Sequence, residues 1–222
     1  MKRAATLLVC LLALGHGASA WAGQTFTVSN VSVTGDDVTV TAPNGPEATT
    51  AGPVMLTTSI GTLAAWCVDL YHAIYTGSGQ NLNYQVGALT TNSAPSPQLL
   101  TASQLGTIAQ LAQYGQSLVA GASATNDQLA AVQLAIWSTE YSNFAYTGAG
   151  GANVSAALTA AKSFSATDVG LIALSGTQTL VTASPLLVKA ASPVPEPSGL
   201  AALCLAIPAF ALLRRRRRSC NA

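Results

Sequence analysis

Both ends of this 222-residue chain are built to meet a membrane, so only its middle is free to form a core. At the start, Lys2 and Arg3 precede an apolar run from Ala4 to Leu14, too short to span a bilayer, and Ala18-Ser19-Ala20 follows. That order of charged, apolar and small residues is the pattern of a secretory signal, with Ala20-Trp21-Ala22 as a second cleavage position for signal peptidase. At the end, Pro193-Val194-Pro195-Glu196-Pro197-Ser198 leads into an apolar stretch reaching Leu213 and then five arginines, Arg214 to Arg218. Proline fixes φ and carries no N–H, so the segment before the apolar stretch stays extended and open to an enzyme. Residues 198–213 suit a bilayer interior but fall short of the roughly 20 residues of a relaxed helical span. The arginines hold the C-terminus on the cytoplasmic side. The chain therefore divides into a signal peptide (1–22), an exported domain (23–192) and a C-terminal membrane segment (193–222). The exported part is long enough for one domain with a real core.

The tail resembles the PEP-CTERM sorting signal of Gram-negative bacteria. The resemblance rests on Pro195-Glu196-Pro197, the small-residue membrane helix and the arginine run, in that order. It implies that the membrane enzyme exosortase recognises the Pro195-Glu196-Pro197 motif and processes the chain near it, after a stage in the inner membrane. The destination it implies is the cell envelope, the surface or the extracellular matrix. Such tails occur on many unrelated exported proteins, so this one fixes an address and not an activity.

Removing the ends changes the charge. Between residues 23 and 192 the only basic residues are Lys162 and Lys189, against seven acids: Asp36, Asp37, Glu47, Asp69, Asp127, Glu140 and Asp168, a net charge of −5. Nucleic acid needs a cationic footprint, and this domain has none. Cysteine usage says more. Cys10 lies in the signal peptide, and Cys204 and Cys220 lie in the membrane segment, which leaves Cys67 alone in the exported domain. An exported protein normally pairs its cysteines or lacks them, and Cys67 has no internal partner. It is either a small buried apolar residue or a reactive group. With one cysteine and one histidine, His72, the exported domain has no classical zinc site, and no motif calls for a cofactor.

The pattern predicts an α+β domain, a β-sandwich or barrel with a helical insertion. Residues 24–42 alternate Val and Thr around Gly35-Asp36-Asp37 and read as a hairpin. Residues 54–60 and 63–70 read as two more strands, and 76–98 as a polar loop. Three helices are expected, at 102–119, 126–141 and 153–166, the second opened by a capping sequence, Thr125-Asn126-Asp127-Gln128. Gly148 to Gly151 reads as a linker, and residues 177–190 as a closing strand pair broken by Pro185.

Two positions stand out for chemistry. If the strand over 63–70 continues, Trp66, Val68 and Leu70 share the core face, and Cys67 shares a mixed face with Asp69 and Tyr71. In the second helix the apolar stripe is Leu129, Val132 and Ile136, and Gln133 lies on or beside it. A buried glutamine needs partners, or it costs a few kcal/mol. Bonds to loop backbone would be the ordinary way to provide them.

Trp66-Cys67-Val68-Asp69 resembles the aromatic-Cys-aliphatic-Asp motif of bacterial thioester domains, which sit on surface adhesins. Val132-Gln133-Leu134-Ala135-Ile136-Trp137 is similar to their Thr-Gln-x-Ala-Ile-Trp motif, with Val132 replacing the threonine. The resemblance implies a bond between the Cys67 thiol and the Gln133 side-chain carbonyl. Asp69, Trp66 and Trp137 would support or wall in that bond. The bond would be consumed in joining an amine on a surface or matrix target, so the chain is expected not to be an enzyme. A cysteine hydrolase using Cys67 and His72 is disfavoured, because residues five apart on one strand face opposite ways. The alternative is a non-covalent structural or binding protein of the surface or matrix, in which Cys67 and Gln133 only pack.

Overall fold

The computed structural model describes residues 25–42, 45–70, 72, 74–87, 100–165, 169–173 and 179–183. The segments expected as signal peptide (1–22) and membrane segment (193–222), with Pro195, Glu196 and Pro197, lie outside the described residues. Among the described residues no helix is long and apolar enough to cross a membrane.

Alternating Val, Thr and Phe give β1 (Thr25–Val33), which buries Phe26, Val28 and Val31. The alternation slips by one between Val28 and Val31, where a bulge shifts the register against both neighbouring strands. β1 pairs antiparallel with β4 (Val54–Thr58) and β6 (Gly77–Gly87). β4 pairs with β5 (Gly61–Cys67), β5 with β9 (Leu180–Thr182), β9 with β8 (Val169–Ala173), and β8 with β6. The cyclic order β1-β4-β5-β9-β8-β6 makes a closed barrel. A second sheet has the order β3-β2-β7, from β3 (Gly45–Ala51), β2 (Asp36–Ala42) and β7 (Ala145–Gly148). The class is α+β.

Residues 24–42 are thus not a hairpin. β1 and β2 belong to different sheets, and β2–β3 is an excursion inserted between two strands that pair directly, Val33 opposite Val54. The ends of the excursion touch. A Cβ on Gly35 would lie 1.8 Å from the Ala51 carbonyl oxygen, and one on Gly52 would lie 1.9 Å from that of Thr34. Only glycine lets the two backbones cross so closely. The segment expected as a polar loop at 76–98 begins with β6, whose backbone pairs on both edges. The linker reading of Gly148–Gly151 gives way to the end of β7 and a 3₁₀ turn, Gly151–Asn153. The closing strands lie at 169–173 and 180–182, and Pro185 lies outside the described residues.

Three helices, with β7, fall between β6 and β8: α1 (Ala102–Gly121), α2 (Asn126–Glu140) and α3 (Val154–Ala161). The first two open with reciprocal capping boxes. Gln104 N–H donates to Thr101 Oγ1 (3.2 Å) and Thr101 N–H to Gln104 Oε1 (2.8 Å). Thr125 and Gln128 repeat the arrangement at 3.3 and 3.0 Å. Gln104 also donates through Nε2 to the carbonyls of Thr139 (2.8 Å) and Glu140 (3.3 Å), at the otherwise open C-terminal end of α2. α2 has no single apolar stripe: every residue from Leu129 to Trp137 is buried. It packs against α1, α3, β2, β3 and β5, and a helix enclosed on all sides is apolar on all sides.

Candidate functional site

Cys67 is the last residue of β5. The β4–β5 pairing ends two residues earlier, at Val54 opposite Ala65, because β4 begins there and Pro53 and Gly52 precede it. On its other edge β5 continues along β9, and Val68 N–H donates to the Thr179 carbonyl at 3.0 Å. The Cys67 peptide groups on the β4 side therefore lack a strand partner, and Gln133 supplies one. Cys67 N–H donates to Gln133 Oε1 at 2.9 Å, and Gln133 Nε2 donates to the Cys67 carbonyl at 2.7 Å. The side-chain amide, 1% exposed, stands in for a missing strand residue. The motif pair is thereby brought together across 66 residues of sequence.

The strand ends at Cys67 and does not run on to residue 70, so Cys67 and Asp69 do not share the expected mixed strand face; Tyr71 lies outside the described residues. Trp66, Cys67, Val68 and Asp69 are all buried. Trp66 turns to α1, where its ring fills the space a Cβ on Gly115 would need, so Cys67, next along the strand, turns the other way. Trp66 accordingly does not line the cavity that Cys67 faces. After Cys67 the chain bends. The thiol donates to the Asp69 carbonyl (2.8 Å) and accepts from the Asp69 N–H (3.3 Å). The bend also carries His72 round. Asp69 Oδ1 accepts from the His72 backbone N–H at 3.2 Å, and Oδ2 lies 2.7 Å from His72 Nδ1. The five-residue argument that separated Cys67 from His72 fails for this reason: both line one cavity.

That cavity, about 320 Å³, is lined by Cys67, Gln133, Trp137, His72, Leu70 and Glu47 among others. Trp137 packs at 6.0 Å from the Phe144 ring and forms part of the wall. Among the described residues no group of three or more His, Cys, Asp or Glu side chains is placed to hold a metal.

The electrostatics are those of a buried acidic site. Burial pushes the Cys67 thiol well above its usual range, and Asp69, and Glu140 once it ionises, push the same way. The Asp69 backbone opposes this, as does the Trp137 indole. The indole N–H makes no hydrogen bond of ordinary geometry but favours the thiolate electrostatically. Glu140 lies one turn beyond Trp137 and two turns from Gln133, fully buried. Burial raises its carboxyl to about 9, so it is a neutral acid at pH 7. Tyr141 stands near both groups: its hydroxyl accepts from the Leu70 N–H at 3.2 Å and favours the Glu140 carboxylate electrostatically, opposing part of the effect of burial. Burial also raises the Tyr141 hydroxyl, and Glu140 adds to the shift. Glu140 and Tyr141 did not emerge as site residues from sequence, and His72 was considered beside Cys67 and set aside on strand alternation. Glu140 carried a usable signal, an acid seven residues after Gln133 and hence on its helix face.

No family model and no curated protein matches the chain. Among solved structures, the N-terminal thioester domain of a surface protein from Clostridium perfringens is similar, with a TM-score of 0.45 and 13% identity. The similarity covers 60% of this chain and 87% of that one.

Proposed function

We propose that the exported domain forms an intramolecular thioester between Cys67 and Gln133 and uses it to bond covalently to amines on a surface or matrix target. The observation that carries this reading is the grip of the Gln133 amide on the Cys67 backbone. It fixes the amide beside the thiol-bearing residue, on the wall of the cavity that both line. An amide is a poor electrophile, so fixed proximity matters more than intrinsic reactivity. The Cys67 N–H aimed at Gln133 Oε1 polarises the carbonyl and would receive the negative charge of a tetrahedral intermediate. Sulfur then bonds to the Gln133 carbonyl carbon, the C–N bond breaks, and the thiol proton leaves on ammonia. The two sequence motifs support the same pair. The scarcity of lysine in the domain agrees with a protein that must not acylate itself.

In this reading the tail delivers the domain to its place of work. Exosortase acts near Pro195-Glu196-Pro197 at the inner membrane, and the domain passes to the envelope, surface or matrix. Intact-mass measurement tests the bond. The chain should be lighter than its own sequence mass by one ammonia, and Cys67→Ala or Gln133→Ala should each abolish the deficit. Methylamine should open the bond, label Gln133 and release a thiol that alkylating reagents modify. A chain of full mass with an alkylatable Cys67 after denaturation favours the second reading, a non-covalent surface or matrix protein. One observation already suits that reading: Gln133 satisfies two backbone groups that β4 leaves open, a structural task by itself.

A further inference from the structure

We infer that His72 is the general base that opens the bond to an incoming amine, with Asp69 as its positioning residue. The inference rests on the thioester reading above. Its basis is geometric. The bend after Cys67 brings His72 to the cavity that Cys67 and Gln133 line, and among the described residues the ring is tied at one nitrogen. Asp69 Oδ2 lies 2.7 Å from Nδ1, while Asp69 Oδ1 accepts from the His72 backbone N–H, so one carboxylate sets both backbone and ring. A carboxylate can only accept, which places a proton on Nδ1, so in the neutral ring Nε2 is the nitrogen able to accept one. Asp69 is itself 1% exposed, and its backbone holds the thiol, so sulfur and imidazole are registered to one residue. The His72 side chain is 45% exposed, which puts the base at the boundary between cavity and solvent, where an amine arrives.

The reaction needs such a group at both ends. A neutral primary amine, of the kind a lysine side chain presents, attacks the Gln133 carbonyl carbon. The C–N bond forms, the C–S bond breaks, and the electron pair leaves with sulfur. The amine nitrogen gives one proton to His72 Nε2, and His72 returns it to the sulfur. The products are an amide on Gln133 and the Cys67 thiol, with the ring as it began. Burial makes a bare Cys67 thiolate unfavourable, so delivery of that proton assists departure. Among the described residues, the other ionisable groups at this cavity and ring are Asp69 beside the ring, Cys67 at the end of β5 and Glu47 from β3 on the cavity wall. Behind Asp69 stand Glu140 and Tyr141 at the end of α2.

The test uses the full chain purified in detergent, with intact mass and the rate of methylamine incorporation as separate readouts. His72→Ala should keep the ammonia deficit and react with methylamine on the order of a hundredfold more slowly than the unaltered chain. Added imidazole should restore part of that rate in His72→Ala and change the unaltered chain little, while His72→Gln should be as slow as His72→Ala. A His72→Ala chain that carries the deficit and reacts at the original rate overturns the inference. So does a slow variant that imidazole does not rescue, since that marks a merely structural role. Loss of the deficit in the variant alone also overturns it, by moving His72 to bond formation. Full mass in the unaltered chain instead removes the thioester reading, and this inference with it.

Discussion

Glu140→Gln should make the protein more stable, increasingly so as the pH rises. Glu140 is fully buried, and its carboxyl is raised to about 9 from an ordinary 4.5. Folding must therefore return a proton to a group that the unfolded chain has released. The sign follows from proton counting. Between 4.5 and about 9 the native state holds one more proton than the unfolded state, so stability falls as pH rises across that window. The contribution is fully favourable below 4.5 and is lost by about pH 9. One pKa unit corresponds to about 1.4 kcal/mol, so at pH 7 the cost is about 3 kcal/mol, and from pH 5 to pH 8 it grows by about 4 kcal/mol. Glutamine keeps the shape and does not titrate. Urea denaturation followed by the fluorescence of Trp66 and Trp137 measures the difference. Both chains should carry Cys67→Ala, so that no cross-link alters unfolding. The stability gap between Glu140→Gln and its parent should widen by about 1.4 kcal/mol per pH unit over that range. Two profiles that run parallel from pH 5 to pH 8 would refute the assignment of Glu140 as a buried neutral acid.

Two further outcomes test the scaffold and the address. Gly115→Ala should lower stability by about 1–3 kcal/mol, because the new methyl would lie 2.3 Å from the Trp66 ring; Gly106→Ala, with nothing within 4 Å, should raise it by about 0.5–1 kcal/mol, and thermal melts of the two variants should shift in opposite directions. Replacing Pro195, Glu196 and Pro197 by alanine should leave the chain in the inner membrane of an exosortase-positive host, and the unaltered chain should be processed and released there; cell fractionation reads the difference, and equal retention of both chains counts against the sorting role.

The helices were legible because their signals are local. Thr125 and Gln128, or Thr101 and Gln104, cap their helices through residues three apart, and no distant partner is needed to find them. Strand pairing is not local. Gly35-Asp36-Asp37 has the composition of a turn, but whether the next strand folds back on β1 depends on residues 51–54. Their close approach at Gly35 and Gly52 sends β2 and β3 into another sheet. β6 was missed for a related reason. Its Gly, Ser, Asn and Gln residues have poor strand propensity, and it is held by ladders on both edges that its own sequence does not record.

The site divides along the same line. Cys67 and Gln133 were each conspicuous, one as the lone cysteine between residues 23 and 192 and the other as a polar residue on or beside a helix's apolar stripe. What sequence could not supply was the edge they share. The decisive event is that β4 begins at Val54, so the backbone of Cys67 is left open on one side and the chain is free to bend beyond it. From that single termination follow the grip of Gln133 on Cys67, the turn of Asp69 back onto the thiol, and the arrival of His72 in the cavity. An alternation argument holds only while a strand lasts, and at this position the end of the strand builds the site.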